Sequence, residues 1–290
     1  MGNNIIVKRI YMYLTLMYTF LFISWLAILI SKDSYIIVWA LFSIFPVVAT
    51  AVTKRITNDK SPWLLKPDFK KNKKVYVFSA FVGSIAIFFG ALLFFLLFPN
   101  DLDLSGRYIV ENYAKFGAPA DLQLTVSAVL TVGMVAIFVS PLILPVHLFA
   151  LGEEIGWRGY LLPLLMQITS VRKAVLWHGV FWGMAHGVLI YFGFNYSMNY
   201  WGAPYSGMLM MVLVCIVLGV LLAYVTIRSK SILPATLLHG TANVIGELPV
   251  MFSLVSVSPL LGPNPTGIIG LSGLIIVAGL LIVRLPKISD

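Results

Sequence analysis

The sequence predicts an all-α protein, a polytopic transmembrane helix bundle of about eight spans plus one re-entrant or half-buried helix. Two observations predict this class. Hydrophobic residues make up 60% of the chain and charged residues 11%, whereas an ordinary soluble domain is about 25% charged. Continuous apolar runs also recur along the sequence, and a hydrocarbon core about 30 Å thick needs about 20 apolar residues per helical span. Because backbone groups in lipid must be paired within the span, we expect these runs to be helices in a single transmembrane domain, 1–290.

The predicted spans follow one another from the N terminus, with boundaries that are approximate by a few residues. They lie at about 10–31, 35–53, 75–98, 123–150, 173–192, 207–227, 232–250 and 267–284. Between the fourth and fifth spans, segment 153–169 is helical in pattern but short and polar for a span. This segment is therefore the predicted re-entrant or half-buried helix.

The distribution of basic residues predicts the orientation of the bundle. The formal net charge is +9, and the connection 54–74 is rich in lysine. Cytoplasmic loops carry an excess of Lys and Arg, so this connection is predicted to be cytoplasmic. If 153–169 does not cross, Arg172, Arg228, Arg284 and Lys287 all fall on the same side, together with both termini. The expected location is the plasma membrane of a prokaryote, with anionic lipids rather than nucleic acid as the partner of the basic face.

The first polar motif is Gly152-Glu153-Glu154-Ile155-Gly156-Trp157-Arg158-Gly159. On a helix Glu154 and Arg158 are four residues apart and face the same side, so they can pair as a charge-assisted fork. Glu153 points about 100° away. This division leaves Glu153 free to act as a general base, with Glu154 and Arg158 as a structural clamp. The alternative is that all three form one neutralising network that holds helices together.

The second motif joins Trp182 to His186, four residues later, so that indole and imidazole pack along one helix face. Gly179 and Gly183 offer a flat stripe on which a neighbouring helix can approach closely. A lone membrane histidine is usually a satisfied interhelical hydrogen bond, but a nearby glutamate pair favours a functional role. His178 supports the site at most, and we expect His147 to serve in packing or at the interface.

The third motif joins His239 to Asn243, again four residues apart, so both project into the same space. Two neutral donors that converge could hold an oxyanion, although a polar interhelical contact would use the same pattern. Glu247 continues this face by one turn, with a direct role left open. Cys215 is the only cysteine, which excludes an internal disulfide, and its apolar surroundings predict a buried structural thiol.

Together the three motifs resemble the CPBP family, which comprises CAAX prenyl proteases of type II and the bacteriocin-processing or immunity proteins called Abi. The resemblance rests on Glu-Glu-x-x-x-Arg at 153–158, an aromatic-x-x-x-His at 182–186 and His-x-x-x-Asn at 239–243, and it covers about residues 123–250. Each motif alone is weak, whereas three in order are specific. Trp182 stands where the commonest family pattern has Phe.

The resemblance implies an intramembrane endopeptidase whose active site opens to the cytoplasmic leaflet. Carried onto this chain, Glu153 and His186 would activate a water, and His239 and Asn243 would stabilise the oxyanion. Glu154, Arg158 and Trp182 would support them. The implied substrate is a membrane-bound or lipidated peptide, either prenylated or a bacteriocin precursor.

Two alternatives stay open at this point. Zinc could be bound by Glu153, His186 and His239, but a His-Glu-x-x-His helix is absent and Asn243 is a poor zinc ligand, so a metal-free and cofactor-free site is favoured. A non-catalytic scaffold or a bacteriocin-immunity protein could keep the same fold, and a small transporter could use the same polar residues as a proton relay. The complete set of polar residues favours the enzyme. The sequence does not predict an oligomeric state.

Overall fold

The computed structural model describes residues 2–114 and 124–286. The basic residue Lys287, which the predicted orientation uses, therefore lies outside the described residues. Within the described ranges every regular element is helical, with one isolated bridge between Leu102 and Ser253. The α-helices are α1 Gly2–Ile30, α2 Ser34–Phe42, α3 Phe45–Ile56, α4 Phe69–Leu97, α5 Arg107–Ala114, α6 Val126–Val139, α7 Leu144–Gly156, α8 Leu162–Leu165, α9 Val171–Ala185, α10 Gly187–Ile190, α11 Tyr205–Ser229, α12 Leu233–Gly246 and α13 Ser272–Ile282. The predicted all-α class is confirmed.

Three helices, α1, α4 and α11, are long and apolar enough to cross a membrane by themselves. Two bent pairs bring the number to as many as five: α2 with α3, bent by 55°, and Val126–Leu142 with Leu144–Leu165, bent by 54°. The chain is therefore an integral membrane protein. Each predicted span falls on one or more helices of the structure. The count of about eight stays a prediction, because the spans at 173–192, 232–250 and 267–284 fall on the shorter helices α9, α12 and α13.

The helix pair α9 and α11 packs closely through small residues. A Cβ added to Gly179 would lie 2.6 Å from Cα of Ile216, and one added to Gly183 would lie 2.5 Å from Cα of Val212. A side chain larger than hydrogen would push the two helices apart at both positions. The predicted glycine stripe is confirmed, and its partner is α11.

The segment with the two glutamates belongs to a longer broken helix than predicted. The sequence suggested a span at 123–150 followed by a separate helix at 153–169, but the break lies at 140–143, between α6 and α7. Pro141 and Pro145 explain this position, because proline removes a backbone donor and disrupts the preceding turn. The chain then continues without interruption from α7 through a π-helical turn, Trp157–Leu161, into α8. The glutamates therefore lie near the end of α7.

One end of the bundle gathers the basic connections, and we call it the basic end. Here Leu64 O accepts a hydrogen bond from Ile232 N, and Ser229 O accepts one from Asn72. At the same end, the Arg172 guanidinium donates to Val283 O. The basic end thus unites the connection 57–68 with the ends of α11 and α13 and the starts of α4, α9 and α12.

The connection 57–68 is anchored by charged side chains. Arg9 lies 3.4 Å from a carboxylate oxygen of Asp59, and Lys54 Nζ donates to the hydroxyl of Ser61 at 2.6 Å. Burial works to raise the pKa of Asp59, but hydrogen bonds from Ser61 and the charges of Lys54 and Arg9 lower it on balance. These contacts hold the connection against the bundle.

The other end, which we call the opposite end, is built from longer loops. Asp101 accepts hydrogen bonds from Ser253 and from the backbone and hydroxyl of Ser256. The Tyr196 hydroxyl donates to Thr266 O at 2.9 Å. These contacts bring the end of α4 and the loops 191–204 and 253–271 together at the opposite end.

Candidate active site

One cavity of about 620 Å³ brings the four residues predicted to be catalytic onto a common surface. Glu153, His186, His239 and Asn243 all line it. They come from three different parts of the fold: the end of α7, the end of α9 and the middle of α12. The rest of the wall is mainly apolar, so this polar cluster stands in an otherwise hydrophobic chamber.

Glu154 lies behind the cavity wall in a buried charged group. Its Oε1 accepts a hydrogen bond from Arg158 Nη1 at 2.8 Å and lies 2.9 Å from His239 Nδ1. Glu154 and Arg158 are fully buried. The predicted ion pair is thus present, but through one oxygen rather than as a two-contact fork. The contact with His239 was not predicted, because 85 residues separate the partners.

Glu153 lies one residue earlier and meets a different environment. Its Oε2 accepts a hydrogen bond from the indole Nε1 of Trp182 at 2.8 Å. Among the described residues Oε1 receives no hydrogen bond, and the side chain borders the cavity. The two adjacent glutamates therefore separate as the helical rotation predicted, with Glu154 sealed and Glu153 facing the chamber.

Trp182 joins these two environments. The Arg158 guanidinium carbon lies 3.9 Å from the centre of the indole ring, a stacking distance for a cation on an aromatic face. The indole ring also meets the imidazole rings of His186 and His239 edge to face. The ring centres are 5.6 Å apart for His186 and 5.3 Å apart for His239. A phenylalanine would keep the ring contacts but could not donate the hydrogen bond to Glu153.

The surroundings of His186 define its tautomer. Nδ1 lies 2.9 Å from the backbone carbonyl of Trp182, and a carbonyl can only accept, so Nδ1 carries the proton. Nε2 of the neutral ring then has a free lone pair. The ring of Phe42 packs 5.0 Å from the imidazole, and the Cys215 sulfur lies 3.8 Å from Nδ1.

The remaining candidate residues take different places. His178 is fully buried outside the cavity lining, beside the ring of Trp157 at 6.0 Å. His147 packs so tightly against Gly240 that a Cβ there would overlap its ring, in agreement with the predicted packing role. Glu247 lines the cavity one turn beyond Asn243. Among the described residues, no group of three His, Cys, Asp or Glu side chains is arranged to hold a metal ion.

Sequence reasoning missed the aromatic and thiol members of the site. Cys215 was correctly predicted to be buried, but it also lines the cavity beside His186. Trp39 and Phe149 lie at the cavity with their ring centres 5.5 Å apart. Nothing distinguishes these residues within their apolar runs, and only the arrangement of helices brings them to the site.

Two comparisons with known proteins bear on the segment that builds this site. Residues 134–245 match a family model described as type II CAAX prenyl endopeptidase Rce1-like. A CAAX prenyl protease 2 from Methanococcus maripaludis is 29% identical over 109 residues, which are 37% of this chain and 40% of that protein. The stretch matched to this relative spans less than half of either protein. The family-model match, 134–245, includes all three polar motifs. The resemblance to the CPBP family is confirmed, and it covers residues 134–245, which are similar to the Rce1-like endopeptidases.

Proposed function

We propose that this protein is an intramembrane endopeptidase that cleaves a membrane-associated or lipidated peptide. One observation carries the proposal: four side chains able to activate water and to stabilise an oxyanion share a single apolar chamber. Carboxylates inside a membrane bundle are costly, and Glu153 has no cation as a direct partner among the described residues. A role toward a water molecule gives this cavity-lining carboxylate a physical purpose.

Glu153 and His186 are proposed to activate the attacking water. Trp182 holds Oε2 of Glu153, so Oε1 is left to accept a proton from a water in the cavity. Nε2 of His186 can accept a second hydrogen bond from the same water, because Nδ1 is committed to the Trp182 carbonyl. The water adds to the peptide carbonyl carbon, and its proton passes through these groups to the departing amine.

His239 and Asn243 are proposed to stabilise the oxyanion. His239 directs Nδ1 at Glu154, so Nε2 can donate only when the ring carries both protons. Charge balance supports that form: Glu153 and Glu154 bring two negative charges, Arg158 brings one positive charge, and an imidazolium would supply the second. The Asn243 side-chain amide would be the other donor.

Among the described residues, the three side chains considered as zinc ligands do not form a group arranged to hold a metal ion. A His-Glu-x-x-His helix is also absent from the sequence, and the neighbouring Asn243 is a poor zinc ligand. We therefore propose a metal-free reaction that needs no cofactor. If chelators abolished cleavage and zinc alone restored it, this part of the proposal would be wrong.

The orientation in the membrane is also proposed. The basic end would lie in the cytoplasm of a prokaryote, against anionic lipids, with both chain termini on that side. Reporter fusions after residues 65 and 286 would then indicate the cytoplasm, and a fusion after residue 103 would indicate the outside. A reporter after residue 65 that indicates the outside would overturn this orientation.

The deciding experiment is cleavage of fluorogenic peptides, with and without a lipid anchor, by protein purified in detergent. Glu153→Gln and His186→Asn should each lower the rate of cleavage by about 10²–10⁴-fold while the protein remains folded. Glu111→Gln is a matched control, since this exposed carboxylate pairs only loosely with Arg107 at 3.9 Å. Cleavage at an undiminished rate in both variants would refute the proposed chemistry, and a purified protein that cleaves none of the peptides would favour a non-catalytic scaffold.

A further inference from the structure

We propose that the catalytic cavity opens toward the non-cytoplasmic leaflet, so that the substrate is a peptide segment anchored in or standing on that leaflet. This inference rests on the proposed function and adds the side of the membrane from which the substrate comes. The family resemblance implies the contrary, an opening to the cytoplasmic leaflet. Three features of this chain carry the proposal.

The first feature is the set of chain segments that supply residues to the cavity wall. Most of the lining residues lie on helices, and the long loops that add to the lining belong to the opposite end of the bundle. Phe194 and Asn195 belong to the loop 191–204, and Pro265 and Thr266 belong to the loop 253–271. The connections at the basic end, 57–68, 166–170 and 229–232, contribute no lining residue. The chamber therefore runs from the catalytic residues toward the opposite end.

The second feature is a seal between the catalytic residues and the basic end. Glu154, Trp157, Arg158 and His178 are all fully buried and form a dense layer beneath the cavity. Below this layer the backbone of Trp63 and the side chain of Ile232 come within 3.6 Å of the position that a Cβ on Gly159 would take. The charged contacts of the connection 57–68 fix that region in place. A peptide approaching from the basic end would have to displace this packing.

The third feature is the asymmetry of charge between the two ends. The basic end carries Lys8, Arg9, Lys54, Arg55, Lys60, Lys66, Lys70, Lys71, Lys73, Lys74, Arg172, Lys173, Arg228, Lys230 and Arg284. The opposite end is mainly acidic, with Asp101, Asp103 and Glu111. Because Lys and Arg accumulate on cytoplasmic loops, the basic end is the cytoplasmic end and the cavity faces away from it.

The chemistry of the chamber indicates what it receives. Its wall is mainly apolar, and the paired rings of Trp39 and Phe149, both partly exposed on the outer surface of the bundle, stand at its side. An apolar segment anchored in the outer leaflet could enter between these helices. Glu247 lines the cavity and forms no ion pair among the described residues, which would favour a cationic group on the bound peptide.

Cysteine labelling tests the direction of the opening. Because Cys215 is the only cysteine, a Cys215→Ala background is free of thiols. In that background Thr266→Cys reports on the cavity, and Lys66→Cys, at an exposed position of the basic end, is the matched control. We expect a membrane-impermeant maleimide to label Thr266→Cys in intact cells and Lys66→Cys only after permeabilisation. The reverse pattern would overturn the proposal. Asn195→Cys provides a second cavity position if Thr266→Cys does not fold.

Cleavage in oriented membranes separates this inference from the proposed function. A peptide that the purified protein cleaves in detergent is added to intact spheroplasts and to inverted vesicles, each with a Glu153→Gln control. We expect Glu153-dependent cleavage by spheroplasts and its loss in sealed inverted vesicles. Cleavage by inverted vesicles alone would overturn the direction and leave the protease proposal intact. Absence of cleavage in detergent would instead refute the proposed function.

Discussion

Glu153 and Glu154 are neighbours in the chain, yet they occupy two different physical environments. Glu154 is fully buried, and its Oε1 meets both Arg158 and His239. Glu153 borders the cavity and holds a single hydrogen bond, from Trp182. The difference teaches that a single residue step on a helix, a rotation of about 100°, can assign charge compensation to one carboxylate and chemistry to the other. Substitutions that change the charge of either glutamate, or one of its hydrogen-bond partners, test this comparison.

The largest expected effect comes from removing the charge of Glu153. Glu153→Gln keeps the shape of the side chain and can still accept from Trp182, but it no longer accepts a proton from water. We expect kcat to fall by about 10²–10⁴-fold, the usual contribution of a general base, with little change in thermal stability. The measurement is steady-state cleavage together with thermal unfolding in detergent.

Glu154→Gln is the matched control for this prediction. It removes the same charge one residue away but leaves Arg158 buried without a carboxylate, so stability should fall along with activity. If the two variants had the same stability and the same residual kcat, the proposed division between the glutamates would be wrong.

The next effect concerns Arg158, which we expect to support the site through folding. Arg158→Met keeps much of the side-chain volume but leaves Glu154 without its cation, and breaking a buried pair costs about 3–5 kcal/mol. Unfolding in mixed micelles should show this loss, accompanied by lower activity. Arg158→Lys should recover part of the stability while losing the planar stack on Trp182. An Arg158→Met protein with unchanged stability would contradict the structural role proposed for the pair of Glu154 and Arg158.

A smaller effect should follow from changing Trp182, which touches both environments. Replacing its indole with benzothiophene, by incorporation of benzothienylalanine, keeps the shape and removes the N–H donor to Glu153. A hydrogen bond to a charged group contributes about 1.5–3 kcal/mol, so we expect kcat to fall by about 10- to 100-fold.

The Michaelis constant and the melting temperature separate positioning from packing at Trp182. If the indole positions Glu153, KM and melting temperature should stay near those of the natural protein while kcat falls. Trp182→Phe, the residue of the commonest family pattern, should lower kcat similarly. An effect on melting temperature alone would assign Trp182 to packing.

The smallest expected effect concerns Cys215. Its sulfur lies 3.8 Å from His186 Nδ1, which already donates its hydrogen to the Trp182 carbonyl. Cys215→Ala should cost on the order of 1 kcal/mol of stability or less and should change cleavage only slightly. Complete loss of cleavage in a folded Cys215→Ala protein would show that the thiol takes part in the reaction.

Local spacing explains what could be predicted from the sequence. Glu154 with Arg158 and Gly179 with Gly183 are four residues apart, and helical geometry alone places each pair on one face. Apolar runs located the helices, because a segment that crosses lipid must pair its backbone groups within a helix. The contacts of Glu154 with His239 and of Glu153 with Trp182 join residues far apart in the chain. These contacts depend on how α7, α9 and α12 cross in space. The spacing of residues along the sequence does not predict that arrangement.

Two larger features also escaped sequence analysis. The break at 140–143 came earlier than expected, because the apolar run through Pro141 looked like a single span. The end toward which the cavity runs depends on loops 191–204 and 253–271, which carry no motif. Apolar composition identifies a membrane segment, but it does not determine which loops surround an internal chamber.

The π-helical turn Trp157–Leu161 has an evolutionary consequence. Such a turn accommodates one residue more than the regular helix, and it holds Arg158 and Tyr160 in the buried layer. Deleting one residue here would favour an ordinary α-helical turn, which would leave α8 nearly in phase with α7 but would shift the residues of the turn away from their buried contacts. Substitutions could adjust this region gradually, whereas a change of length would rearrange it in one step. Its history should therefore show varied residues within a fixed spacing.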